Sequence, residues 1–131
     1  MIVLDSSAVV DLLFRREPES TWVLEQLGAA RWRVSAPHLI DAEVLAVVRD
    51  RVLRGWISSS DGLDRIRRMT EFPMRRYPHV ALLERAWELH PSVQAADALF
   101  VALAEALDLP LVTTDRRLAR APGPRVPVLT P

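Results

Sequence analysis

The chain predicts an α/β fold, a three-layer α/β/α sandwich built around a parallel sheet. Short apolar runs alternate with helical patterns along it, and that order builds parallel sheets with helices on both faces. The run from Met1 to Leu4 is too short for a helix and too apolar for a solvated loop, so it reads as a strand buried on both faces. Asp5 ends that run, and Asp115 follows the later run Leu111-Val112-Thr113. A carboxylate at the carboxyl end of an interior parallel strand lies where open α/β sheets place their ligands. Crossovers should be right-handed. An all-helical arrangement fits less well, because the runs at 2–4 and 111–113 stand between helix signals.

Taken in order, the strand at residues 1–4 leads into a helix carried by Val9, Val10, Leu12, Leu13 and Phe14. Asp5 or Ser6 could serve simply as the cap of that helix. Residues 15–20 read as a loop, with Ser20 capping a short helix over 21–28 that Gly28 ends as a C′ glycine. A second strand over 33–36 is cut off by Pro37. A long helix over 38–54 closes at Gly55, and Ser58-Ser59-Ser60-Asp61 begins another that runs through Met69. The proline-bounded segment 73–78 holds a third, edge strand. Residues 80–89 are helical, Pro91-Ser92 introduces a helix over 93–107, and residues 110–113 form the fourth strand. One or two helical turns over 116–121 precede a weak last strand at 126–129, whose Pro127 points to an edge. No repeat or linker divides residues 1–131, so one domain is expected.

Composition narrows the chemistry. Half of the 131 residues are hydrophobic and 26% are charged, which excludes disorder. With no cysteine there is no disulfide framework, thiolate metal site or cysteine nucleophile; the lack fits a reducing cytoplasm. No basic leader and no span of about 18 apolar residues is present, so a soluble, cytoplasmic protein is expected. All 17 cationic side chains are arginine, which excludes P-loop and Schiff-base chemistry, both dependent on lysine. They balance 17 acids, so the overall charge carries no nucleic-acid footprint. Were four acids gathered in one pocket, however, 17 cations would face 13 remaining acids and leave an excess of four.

Two further acids stand in apolar surroundings. Every residue from Ala95 to Ala104 except Asp97 is apolar, so this helix should be largely buried. An ionised Asp97 there is costly unless paired, hydrogen-bonded or bound to metal; the plain alternative is an acid favoured by the helix N-terminus. Glu43 shares a helical row with Leu39, Ala46 and Val47, and Asp41 beside it competes for the role. Asp5, Glu43, Asp97 and Asp115, converging without His or Cys, would form a hard oxygen-only pocket suited to Mg²⁺ or Mn²⁺ rather than Zn²⁺. The three histidines (His38, His79, His90) are scattered and suggest no triad.

These pieces together resemble a PIN-domain protein, and within that family the VapC-type ribonuclease toxins of toxin–antitoxin pairs. The resemblance is carried by Val3-Leu4-Asp5-Ser6-Ser7, the helix acid Glu43, the run from Asp97 to Ala104, and Leu111-Val112-Thr113-Thr114-Asp115, whose order and spacing cover the whole chain. Ser7 stands where many relatives have Asn. The resemblance implies a five-stranded parallel sheet, with Asp5, Glu43, Asp97 and Asp115 as catalytic acids holding one or two Mg²⁺ (Mn²⁺ as the substitute). Cleavage of single-stranded or looped RNA by metal-activated water follows, with Ser6 and Thr113 hydrogen-bonding carboxylates, water or phosphate.

It also implies homodimers and a cognate VapB-like antitoxin. Apolar surface at Trp22, Val23, Leu24 and Leu27, or at Trp56 and Ile57, would receive the antitoxin unless those residues are ordinary core. Candidate phosphate contacts are Arg15, Arg16, Arg65, Arg67, Arg68, Arg75, Arg76, Arg116, Arg117 and Arg120, of which Arg116 and Arg117 are best placed. The competing readings are a PIN-type nuclease of RNA maturation or DNA processing, and a non-catalytic receiver-like module. The latter would want a lysine after a later strand, and the chain has none.

Overall fold

The computed structural model describes residues 1–131. Five strands form one parallel sheet: β1 (Ile2–Leu4), β2 (Val34–Pro37), β3 (Met74–Tyr77), β4 (Leu111–Val112) and β5 (Val128–Leu129), in the order β3-β2-β1-β4-β5. Helices α1 (Ser6–Leu13), α2 (Glu19–Ala29), α3 (Leu39–Leu53), α4 (Ser59–Glu71), α5 (Leu83–Glu88), α6 (Ala95–Leu107) and α7 (Arg116–Arg120) cover it. This is the expected three-layer α/β/α sandwich. Every residue of β1 is buried, as befits the central strand. Its register pairs Val3 with Ser35 on one side and with Leu111 on the other.

The apolar character of α6 dictates its place. Ala98 to Ala104 are buried without interruption, and the helix lies against β1, β2 and β4 with α5 beside it. Helices α1 to α4 pack on one another, with α3 reaching β2. The chain steps from β1 outward to β2 and β3, then returns to place β4 on the other side of β1. The order therefore reverses between β1 and β4, and the crevice at the carboxyl ends of those strands is the natural ligand position of such a sheet.

Several boundaries differ from the sequence reading. Ser20 does not cap α2: the helix begins at Glu19, and Ser20 is buried inside its first turn. Gly28 is likewise helical rather than terminal, and the chain turns instead at Arg31 and Trp32, both left-handed with φ of 53° and 56°. Pro37 is the last residue of β2 rather than its breaker. Pairing with β1 has already ended at Ser35, so no neighbour on that side needs the missing N–H. The segment 80–89 divides into a 3-10 turn at Val80–Leu82 and then α5. Helix α6 starts at Ala95 with Gln94 as N-cap, two residues later than expected. Gly55, at φ 74°, does terminate α3.

Candidate active site

Asp5 leaves β1 through a backbone N–H that donates to the Val112 carbonyl at 2.9 Å, which sets it at the β1–β4 crevice. It occupies the N-cap position of α1, yet its side chain makes no capping bond. Its Oδ2 instead accepts from Ser7 Oγ at 2.6 Å and Thr113 Oγ1 at 2.7 Å. Oδ1 is buried with no partner. Burial pushes the carboxyl pKa up, and the hydroxyl donors oppose that. The simple capping alternative is thereby removed for Asp5.

Thr113, fully buried after β4, couples the two strand ends: its Oγ1 also accepts from Asp115 N at 3.0 Å. Ser7 does more than the sequence suggested. Besides holding Asp5, its Oγ accepts from Thr114 N at 3.1 Å, stitching α1 to the segment after β4. Asp115 is a true cap. Its Oδ1 accepts from Arg117 N at 2.8 Å, while the Arg117 guanidinium lies 3.3 Å from both carboxylate oxygens. Burial raises its pKa, but the hydrogen bonds and charge of Arg117 together outweigh it and bring the value below the ordinary one.

Asp97 is half-buried in the first turn of α6. Burial, then repulsion from Asp5 and Asp115, pushes its pKa up to about 6. Glu43 on α3 is pushed up to about 7 by burial and by the charges of Asp5 and Asp97, against a stabilising contribution from Ser6. Its Oε1 is buried without a partner. The structure thus brings Asp5, Glu43, Asp97 and Asp115 within electrostatic reach around one crevice. No three of them stand close enough to coordinate one ion by themselves.

Ser6 lines the cleft and its hydroxyl favours the Glu43 carboxylate, whereas the Asp5 carboxylate is held by Ser7. Asp41 is elsewhere, in a bidentate pair with Arg76 at 2.7 and 2.9 Å, so Glu43 alone of the two faces the site.

The crevice opens as a cleft of about 440 Å³ whose lining includes Asp5, Ser7, Asp97 and Asp115. A smaller hollow of about 160 Å³ continues past Asp97 and Asp115 to Arg117. Sequence reasoning missed three members. Asp11, buried on α1, accepts from Thr114 Oγ1 at 2.6 Å and faces Arg16 at 3.6 Å. Its spacing of four from Ser7 was the available signal. Gln94, the N-cap of α6, and Arg51 on α3 also line the cleft. None of the three histidines does; His90 stacks on Trp87. Arg116 is exposed, and Arg117 is exposed but tied to Asp115. Of the apolar residues considered for a partner, Val23 and Leu27 are core, while Leu24 and Trp56 are 46% and 65% exposed.

The family model of the PIN domain matches residues 2–124. Ribonuclease VapC12 of Mycobacterium tuberculosis is 39% identical over 123 residues, covering 94% of this chain and 93% of its own length. Ribonuclease VapC1 of the same organism is 44% identical over 123 residues, covering 92% and 90%. Among solved structures, VapC20 of M. tuberculosis, described as a sarcin-ricin loop cleaving toxin, superposes with TM-score 0.69 at 15% identity, covering 90% and 92%. VapBC2 of Rickettsia felis, bound to a DNA fragment from its promoter, gives TM-score 0.71 at 16% identity over 99% and 98%. At these identities the structural likeness speaks to the fold. No helix is long and apolar enough to cross a membrane.

Proposed function

The chain belongs to the PIN-domain family, among the VapC ribonucleases, and from that we propose that it is a Mg²⁺-dependent endoribonuclease, the toxin of a VapBC-type pair. The observation that carries the reading is the state of Asp5. A buried carboxylate with one oxygen held by two hydroxyls and the other unpartnered is costly for folding alone and is accounted for by a cation. Glu43 presents a second orphaned oxygen. The donor set is oxygen only and no three acids close a shell; this suits Mg²⁺, which keeps several waters and takes one or two carboxylates. Mn²⁺ fits the same donors.

Of Asp5, Glu43, Asp97 and Asp115, one or two would hold the ion directly and the others through its bound waters. A divalent cation there supplies Lewis acidity, polarising a phosphoryl oxygen and making water a competent nucleophile near neutral pH. Ser7 and Thr113 hold one oxygen of the Asp5 carboxylate and so fix its orientation, leaving the other oxygen available as a ligand. Asp97 and Glu43, each raised by burial and then by its neighbours' charges, are carboxylates whose mutual repulsion a cation relieves. Arg116 and Arg117, past Asp115, are proposed to meet the phosphates of the strand.

The matches to VapC ribonucleases, and to a VapBC assembly in fold, support a VapB-like antitoxin as partner. A homodimer and a cytoplasmic setting belong to the same reading. The test is cleavage of total RNA by the purified chain over a Mg²⁺ titration, alongside Asp97→Asn. The variant should keep its circular dichroism spectrum and lose about a hundredfold or more in rate. Wild-type rates from Asp97→Asn, or cleavage indifferent to chelation, would sink the proposal.

A further inference from the structure

Arg51 stands apart from the other arginines around the cleft. Arg16 and Arg117 each pair with a carboxylate. Arg51 lines the same cleft as Asp5 and Asp97, yet its guanidinium forms no ion pair and donates no hydrogen bond within the chain. Its guanidinium lies 3.9 Å from the centroid of the Phe14 ring, at the end of α1. Arg65 of α4 approaches the same ring at 4.6 Å. A guanidinium stacked on an aromatic face has its plane fixed while its in-plane N–H groups stay free to donate.

Position makes this specific. Glu43, Val47 and Arg51 recur at intervals of four on α3, so they form one row along the helix, and Val47 and Arg51 both line the cleft. Eight residues at a rise of about 1.5 Å put Arg51 roughly 12 Å along the axis from Glu43. One wall therefore carries a carboxylate at the acidic centre and an unpaired fork of donors farther out. We infer that Arg51, oriented by Phe14, grips a phosphate of the RNA strand adjacent to the scissile one and so positions the substrate across the carboxylates. The inference rests on the ribonuclease reading and adds a binding residue to it.

The test is steady-state cleavage, in Mg²⁺, of an oligoribonucleotide carrying a cut site mapped on the wild type. Arg51→Met retains the aliphatic stem against Phe14. It should raise KM roughly tenfold, the loss of one charge-assisted forked contact, and leave kcat within about threefold. The slope of log kcat/KM against log salt should flatten by about 0.7, one phosphate contact on a single strand. Arg51→Lys should recover the salt slope but only part of KM, because an ammonium neither forks nor stacks in the same way. Unchanged KM and slope in Arg51→Met, with an active wild type, overturn the role of Arg51 alone. Loss confined to kcat does so as well. Should Arg51→Met not fold, wild-type KM in Arg51→Lys overturns it. A wild type that cleaves no RNA overturns the ribonuclease reading and this inference with it.

Discussion

One hydroxyl, Thr113 Oγ1, donates to Asp5 at 2.7 Å and accepts from Asp115 N at 3.0 Å. Valine would reproduce its shape, but would leave a buried carboxylate oxygen with one donor fewer and a backbone N–H without its acceptor. Thr113→Val should therefore destabilise the protein by about 1–3 kcal/mol, read from urea denaturation, whereas Thr113→Ser should recover most of the loss. A valine variant as stable as wild type would mean that the bond is not formed in solution. At the cleft's rim the relevant quantity is binding, not stability. Replacing Arg116 and Arg117 together with Ala should raise the RNA concentration needed for cleavage and flatten its salt dependence; an unchanged salt slope would remove both from the substrate path. The acids were legible in the sequence because a carboxylate in an apolar run is conspicuous. Ser7, Asp11 and Arg51 were not, because their environments are made by residues distant in sequence: Thr114 lies 103 positions from Asp11. Asp5 and Asp115 also looked alike as acids after strands, yet only Asp115 has an arginine two residues on and becomes a cap.

Elements were legible where pattern and burial coincide. The continuous apolar run of α6 required a central position, and it lies against three strands. Capping signals were read less well on α2, where a serine and a glycine sit inside the helix rather than at its ends. Buried Ser20 is recruited into the first turn, and tertiary packing overrides a local preference of about 1 kcal/mol. Gly62 shows the opposite case, a helical glycine with a packing reason. A Cβ there would come 2.8 Å from Val52 Cγ2 and 3.4 Å from Val48 Cγ1, where α4 crosses α3. Alanine would gain about 1 kcal/mol in helix propensity. It would also force apart two helices through a β-branched side chain with little rotamer freedom, an overpacking cost of about 1–3 kcal/mol. The clash should win, so Gly62→Ala is expected to lower Tm by about 4 °C in a thermal melt; a rise in Tm would show that α3 and α4 can separate at no cost.

For the whole molecule, a net charge of zero conceals a concentration of negative charge at one crevice, and that concentration ties stability to pH. Asp5, Glu43 and Asp97 all have raised pKa values in the folded chain. A raised acid binds protons in the folded state that the unfolded state has already released, so stability falls as pH rises across the interval between the two values. For Asp97 that interval runs from 3.8 to about 6, and for Glu43 from 4.5 to about 7. Asp115 and Glu105 are lowered, and their stabilisation is lost only as pH falls below the ordinary carboxyl range. In chelator the Tm should therefore already be falling at pH 5 and decline by roughly 5 °C or more from there toward pH 8. Asp97→Asn and Glu43→Gln should each flatten that decline, leaving the variants more stable than wild type at pH 8. Mg²⁺ binds the ionised acids and so stabilises the folded chain by mass action. Its addition should raise Tm at pH 8, with little effect at pH 5, where protons occupy the same oxygens. The two measurements bear on one cause, because proton and cation compete for carboxylates that folding has pressed together. A chelated protein whose Tm climbs steadily from pH 5 to pH 8 would show instead that these acids are separately neutralised, with no shared need for a cation.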